Sequence, residues 1–181
     1  MKNLKPKVIA VVGTKKSGKT TTIENLTKEL TRRGYKVAAI KHVPEPDFTI
    51  DTPDKDTWRY AQAGATTIVS ASAKEIATIE KTSLETITLN ALLRKCRNND
   101  VIFIEGLKKK IAKKPNIHKI AVTKTMDEAL TATETYKPIL AFSGAYNTEN
   151  LNFEIPYADS TKDAEKLANL IEEKLLKKIT R

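Results

Sequence analysis

Gly13-Thr14-Lys15-Lys16-Ser17-Gly18-Lys19-Thr20 is the stretch that decides how this chain folds. It fits the pattern G-x-x-x-x-G-K-[ST], in which successive backbone N–H groups wrap a pyrophosphate at the start of a helix. Lys19 is expected to reach the terminal phosphates, and the Thr20 hydroxyl is expected to bind Mg²⁺. The predicted nucleotide-binding residues of this loop are Gly13, Thr14, Lys15, Lys16, Ser17, Gly18, Lys19, Thr20 and Thr21.

The residues on either side of this loop favour a strand before it and a helix after it. Val8 to Val12 form a continuous apolar run, as a parallel strand buried on both faces requires. Ile23, Leu26 and Leu30 recur at helical spacing, which predicts a helix with one apolar face. Gly34 then stands where a C-terminal cap belongs.

Strands and helices alternate along the rest of the chain. Further strands are predicted over residues 36–40, 66–70, 75–80, 101–104, 120–122 and 139–142. Helices are predicted over residues 54–63, after a cap at Ser83, and after a capping box formed by Ser160 and Asp163. This alternation predicts an α/β protein with the three-layer P-loop NTPase fold, a mostly parallel sheet and a single domain over residues 1–181.

Composition narrows the class of protein and the kind of partner. The chain has 181 residues, of which 40% are hydrophobic and 30% charged, and no apolar run approaches the length that spans a bilayer. We therefore expect a soluble, cytoplasmic protein without a membrane partner. The net charge of +10 favours anionic partners. With only 6% aromatic residues it does not indicate nucleic acid, and the single Cys96 provides no metal cluster.

Glu105 is the predicted second acidic group of the site, because it follows the apolar strand at residues 101–104. Ligands of parallel sheets bind at the carboxyl ends of the strands, so Glu105 is expected to hold Mg²⁺ together with Thr20. We predict that Lys19 and Glu105 carry the catalysis of phosphoryl chemistry. Competing metal ligands stand in and after the proline-rich loop 43–53; they are Asp51, Asp54 and Asp56.

Two later segments bear on the choice of nucleobase. Thr123-Lys124-Thr125-Met126-Asp127 is close to the guanine-binding pattern [NT]-K-x-D, but its acid stands one residue late. Ser143 and Gly144 follow the strand at residues 139–142, where guanine-binding proteins offer backbone N–H groups to the base. Together these segments favour GTP and leave ATP open.

These residues resemble the family of molybdopterin-guanine dinucleotide biosynthesis protein B, MobB, over about Val8 to Val122. The resemblance is carried by the phosphate loop and by Lys41-His42, Asp51-Thr52-Pro53-Asp54-Lys55-Asp56-Thr57, Ala63-Gly64-Ala65 and Glu105-Gly106-Leu107-Lys108. The chain departs from the family where Asp54 replaces the usual Gly and Thr57 the usual Ser. A further histidine is also missing soon after His42.

The resemblance implies a homodimeric protein that binds GTP with Mg²⁺ and hydrolyses it weakly. It further implies that the protein assists attachment of GMP to molybdopterin, the organic part of the molybdenum cofactor, beside the molybdenum cofactor guanylyltransferase. Asp51 belongs to the resembling segment, and we keep it as a predicted metal ligand.

Two other functions remain open from the sequence. A P-loop small-molecule kinase would use the same loop and fold, although the candidate lid at residues 108–114 carries lysines and no arginine. A metal-insertion GTPase is a poorer fit, since His42 and His118 are the only histidines and no Cys motif exists. Residues 108–114 are interpreted either as a solvated surface loop or as a loop whose lysines bind a phosphorylated pterin or an acidic partner surface.

Overall fold

The computed structural model describes residues 5–151 and 153–176. The strands are β1 (Lys7–Val12), β2 (Val37–Lys41), β3 (Thr67–Ala71), β4 (Ile76–Glu80), β5 (Val101–Glu105), β6 (Ile117–Val122) and β7 (Ile139–Ser143). The α-helices are α1 (Lys19–Arg32), α2 (Asp56–Gln62), α3 (Leu89–Lys95), α4 (Lys108–Ile111), α5 (Met126–Thr135) and α6 (Ala164–Lys174). The chain forms two compact units, one of residues Val43–Leu92 and one of the remaining residues. The single domain over residues 1–181 stays a prediction.

The larger unit is built on a parallel five-stranded sheet of order β2-β5-β1-β6-β7. β1 lies between β5 and β6, and the apolar run that follows Lys7 is buried from Ile9 to Val12. A strand in this position must be apolar on both faces, because helices cover both. The parallel sheet and its flanking helices confirm the predicted α/β, three-layer P-loop fold.

One face of this sheet is closed by α1 and α6. Leu26 and Leu30 of α1, and Leu167 and Ile171 of α6, are 0% exposed and belong to one apolar core with β1, β5 and β6. Gly34 has a φ of 89°, and its N–H donates to the Thr31 carbonyl. The predicted helix after the phosphate loop and its glycine terminus are both confirmed.

The smaller unit contains α2 and an antiparallel pair of strands, β3 and β4. The pairing runs from Thr67 opposite Glu80 to Ala71 opposite Ile76. Both strands were expected from the sequence, and the structure supplies the pairing. Ile68 is 5% exposed within this unit.

Two predicted helix caps are wrong. The Ser83 hydroxyl accepts from the Glu85 N–H within a turn, and α3 begins only after Thr88, whose hydroxyl accepts from the Ala91 N–H. Thr88 stands closer to the continuous helical segment, so it is the effective cap. Ser160 does not cap α6 either.

Asp163 alone caps α6, through its carboxylate oxygen and the Lys166 N–H at 2.9 Å. Ser160 is instead buried, with its hydroxyl 2.8 Å from the Thr22 hydroxyl of α1. The predicted loop 108–114 begins as a short helix, α4, because Ile111 is fully buried and anchors it. α5 was not foreseen, although Thr125 and Glu128 have capping-box spacing.

Because Lys119 is buried, we expect the stability of the folded chain to depend on pH. Its side chain on β6 is 0% exposed and donates to the carbonyls of Lys114 and Lys137 at 2.9 and 2.6 Å. Burial lowers the pKa of Lys119 to about 8, below the ordinary lysine value of about 10.4. Between these two pH values the Lys119 side chain is mostly protonated in the unfolded chain and mostly neutral in the folded chain. Stability should rise with pH across about 8 to 10.4, by about 3 kcal/mol in total.

Denaturant unfolding of wild type and Lys119→Met at a series of pH values measures this effect. The difference between the two stability curves removes the titration of other groups, and it should grow in favour of wild type from about pH 8 to 10.4. Parallel curves would show that Lys119 titrates alike in the folded and unfolded states.

Candidate nucleotide-binding site

The loop between β1 and α1 has the tight geometry that the glycine pattern predicts. A Cβ at Gly13 would lie 2.3 Å from the Val122 carbonyl oxygen, so β6 leaves no room for any side chain there. Gly18 has a φ of 98°, in the left-handed region. Lys16 also lies there, at 59°, without being glycine. Such strain is typical of loops held open for a ligand.

The ammonium group of Lys19 lies against this loop and donates to the Thr14 carbonyl. Burial has the largest effect on the pKa of Lys19 and lowers it, whereas the negative charge of Glu105 raises it. Three further lysines lower it as well, namely Lys41, Lys108 and Lys124. Four cationic side chains thus converge at the loop, and an anion placed among them would relieve their repulsion.

Thr20 and Glu105 form the pair that a metal site needs. The Thr20 hydroxyl donates to Glu105 Oε2 at 3.0 Å, and the Lys41 ammonium lies 3.3 Å from the same carboxylate. Mg²⁺ prefers such oxygen ligands and usually keeps several waters beside phosphate oxygens. Within residues 5–151 and 153–176, no cluster of three or more acidic, His or Cys side chains exists. Thr20 and Glu105 therefore fit Mg²⁺ held partly by a nucleotide.

Asp51 belongs to the smaller unit, and its metal role stays a prediction. Its Oδ1 accepts from the Thr57 hydroxyl at 2.8 Å and from the Thr52 N–H at 3.0 Å. Asp54 has a φ of 67°, a conformation that favours glycine. That conformation explains why glycine suits this position in the resembling family, and aspartate is among the residues that tolerate it best.

Gly144 lies beside the second half of the phosphate loop. Both line a cavity of about 570 Å³, together with Ala145, Asn147 and Asp159. The Ser143 side chain is fully buried and accepts from the Ser160 N–H at 3.1 Å. The Ser143 side chain is thus not available to a nucleobase, and the predicted base contact of Ser143 and Gly144 stays a prediction.

Glu128 is a site residue that sequence reasoning missed. Its carboxylate accepts from the Thr14 hydroxyl and from the Lys124 N–H, each at 2.8 Å. Burial acts to raise the pKa of Glu128, but these hydrogen bonds and the Lys124 charge outweigh it and hold the pKa below its usual value. Glu128 ties α5 to the phosphate loop. The capping spacing of Thr125 and Glu128 was the available signal.

The family model described as molybdopterin guanine dinucleotide synthesis protein B, MobB, matches residues 8–142. The chain belongs to the MobB family. A Haemophilus influenzae molybdopterin-guanine dinucleotide biosynthesis adapter protein is 30% identical over 137 residues, which is 73% of this chain and 76% of the relative.

Two more MobB relatives agree with this assignment. A Methanocaldococcus jannaschii protein, also named for molybdopterin-guanine dinucleotide biosynthesis, is 38% identical over 122 residues, or 67% of this chain. The match spans about half of that relative, 49% of its length. The crystal structure of Bacillus subtilis MobB shares the fold, with a TM-score of 0.69 at 22% identity over 91% of this chain and 97% of that one.

Two MobB motifs meet in space although 64 residues separate them. Lys41 of β2 is the strand partner of Glu105 on β5, and the His42 N–H donates to the Glu105 carbonyl. A Cβ at Gly106 would lie 2.7 Å from the Cβ of His42. His42 thus needs the glycine that follows Glu105.

No helix in the described part of this MobB chain is long and apolar enough to cross a membrane.

Proposed function

We propose that this MobB family member is a GTP-binding accessory protein of molybdenum cofactor biosynthesis. It binds GTP with Mg²⁺ at the loop Gly13 to Thr21, hydrolyses it slowly, and assists the guanylyltransferase that attaches GMP to molybdopterin. The observation that carries the proposal is the hydrogen bond between Thr20 and Glu105 directly behind the phosphate loop. Family membership supports the pathway.

Different residues of the loop would bind different parts of a triphosphate. The backbone of Lys16 to Lys19 supplies N–H groups at the start of α1, which favours negative charge. Lys19 adds a charge-assisted hydrogen bond to the terminal phosphates. Mg²⁺, held by Thr20 and Glu105, would neutralise charge that develops on the phosphates. Slow hydrolysis is expected because no arginine lies close by in residues 105–124 to stabilise the transferring group.

GTP is favoured over ATP by the cavity that continues from Gly18. Gly144, Ala145 and Asp159 all line this cavity. A carboxylate suits the N–H groups on one edge of guanine, whereas adenine offers no such pair of donors. Asp159 already accepts from Thr161, and its pKa lies below the usual range despite burial because of these hydrogen bonds and Lys162. It stays charged at neutral pH.

A homodimer in the cytoplasm is part of the proposal. Val69 and Ile76 are 61% and 72% exposed, and they lie with Ala71 on one face of the β3–β4 pair. An apolar face of this kind on a soluble chain marks an interaction surface. A second copy of this chain is the occupant we propose, and light scattering of the purified protein measures it.

The lysines of residues 108–114 are proposed to meet the anionic partner. Lys108 acts on Lys19 and belongs to the nucleotide site, whereas Lys109, Lys113 and Lys114 are exposed. Changing these three to Gln should leave GTP affinity within about threefold and weaken binding of molybdopterin or the transferase about tenfold, more at low salt. Titrations at two ionic strengths measure both affinities.

A matched control carries the same loss of charge elsewhere. Lys28, Lys36 and Lys174 are exposed, and they belong to α1, to the segment before β2 and to α6. Their replacement by Gln should leave partner affinity near the wild-type value. Equal losses in both triple variants would mean that net charge alone attracts the partner.

A further inference from the structure

Lys41, the last residue of β2, contacts the same carboxylate as the Thr20 hydroxyl. Its ammonium group lies 3.3 Å from each of the two Glu105 carboxylate oxygens, and Thr20 donates to Oε2 at 3.0 Å. The sheet brings the lysine there, because Lys41 and Glu105 are register partners on the parallel strands β2 and β5. A cation of the chain thus lies on the carboxylate to which Mg²⁺ is proposed to bind.

The two side chains of this ion pair differ in their freedom to move. The Glu105 side chain is 15% exposed, whereas the Lys41 side chain is 56% exposed. Contacts of 3.3 Å are longer than the about 2.7–2.9 Å of a strong hydrogen bond between an ammonium group and a carboxylate. Ion pairs with an exposed lysine contribute little to stability. Lys41 can therefore change its partner at a small cost in free energy.

Mg²⁺ and the Lys41 ammonium group would compete for Glu105. A carboxylate has two oxygens, and the Glu105 oxygen Oε2 already accepts from Thr20. A divalent ion bound to this carboxylate would repel an ammonium group at the same place. When Mg²⁺ binds to Glu105, the Lys41 ammonium group is therefore expected to leave it for another anion.

The anion within reach would be the terminal phosphate of the nucleotide. Lys19 is the residue of the phosphate loop that reaches this phosphate. Burial is the first cause that lowers the pKa of Lys19, and the charge of Lys41 is a further one, because the two ammonium groups lie near each other. A lysine binds phosphate as a point charge, without the fixed geometry that arginine requires. Lys41 can thus bind the phosphate from the side of β2.

We infer that Lys41 is a specificity-determining residue, which distinguishes GTP from GDP by moving from Glu105 to the terminal phosphate when Mg²⁺ binds. GDP lacks this phosphate, so with GDP the lysine would gain no new partner in place of Glu105. The choice of guanine nucleotides and Mg²⁺ rests on the proposed function. The contact between Lys41 and Glu105 does not depend on it.

Isothermal titration of Lys41→Gln with GTP and with GDP, each in Mg²⁺ and in EDTA, tests this inference. With Mg²⁺, GTP affinity should fall about tenfold and GDP affinity should stay within about twofold, because only GTP offers the terminal phosphate. In EDTA the loss of GTP affinity should be smaller, since Lys41 then stays on Glu105. Lys41→Arg should keep the preference for GTP because it keeps the charge.

Lys36→Gln is the matched control, because Lys36 is also exposed and stands directly before the same strand. It should bind both nucleotides as wild type does. Three results would overturn the inference: wild-type GTP affinity in Lys41→Gln, an equal loss for GTP and GDP, or an equal loss in Mg²⁺ and in EDTA. These results reject the role of Lys41 alone. Absence of GTP binding to wild type would reject the proposed function together with it.

Discussion

Lys19→Ala is expected to weaken GTP binding by about two orders of magnitude, because it removes the charge-assisted contact to the terminal phosphates. Folding should change little. The Lys19 ammonium donates to the Thr14 carbonyl of the same loop, and surface contacts of this kind contribute about 0.5 kcal/mol or less. Isothermal titration with GTP and Mg²⁺, beside thermal unfolding, measures both quantities.

Lys28→Ala is the matched control, because Lys28 stands on the exposed side of the same helix and pairs with Glu24 at 2.8 Å. Its GTP affinity should equal that of wild type. Unchanged affinity in Lys19→Ala would mean that the loop holds no triphosphate, despite its sequence.

Glu105→Gln is expected to keep GTP affinity within about threefold and to lower Mg²⁺-dependent hydrolysis by about a hundredfold. The amide retains the shape that fits between Thr20 and Lys41. It removes the negative charge that would hold the metal ion. Phosphate release at saturating GTP, measured over a range of Mg²⁺ concentrations, reports the loss.

Glu24→Gln removes one carboxylate from the exposed side of α1 and should hydrolyse GTP as wild type does. If Glu105→Gln also hydrolysed at the wild-type rate, Glu105 would not be the residue that holds the metal ion. Asp51, Asp54 and Asp56 would then be the candidates to change in turn.

The sequence predicted the parallel sheet well, because its strands are continuous apolar runs. Val8 to Val12 and Val101 to Ile104 read as strands buried on both faces, and the structure places them side by side. Glu105 could be assigned to the site for the same reason, since it follows such a run. Thr20 was expected beside Glu105 as well, whereas the contact between Lys41 and Glu105 is seen only in the folded sheet.

Long-range pairs explain what the sequence did not predict. The hydrogen bond from Thr14 to Glu128 joins residues 114 positions apart, and no local pattern reports it. Ser160 reads as a cap because the sequence cannot show that Thr22 meets its hydroxyl in the core.

Nucleotide selectivity of the wild-type protein tests the central claim most directly. Isothermal titration with Mg²⁺ should show one GTP bound per chain, about tenfold or more tighter than ATP. Equal or tighter binding of ATP would contradict the assignment of GTP, and heat signals at the level of buffer for both nucleotides would contradict a nucleotide site at Gly13 to Thr21.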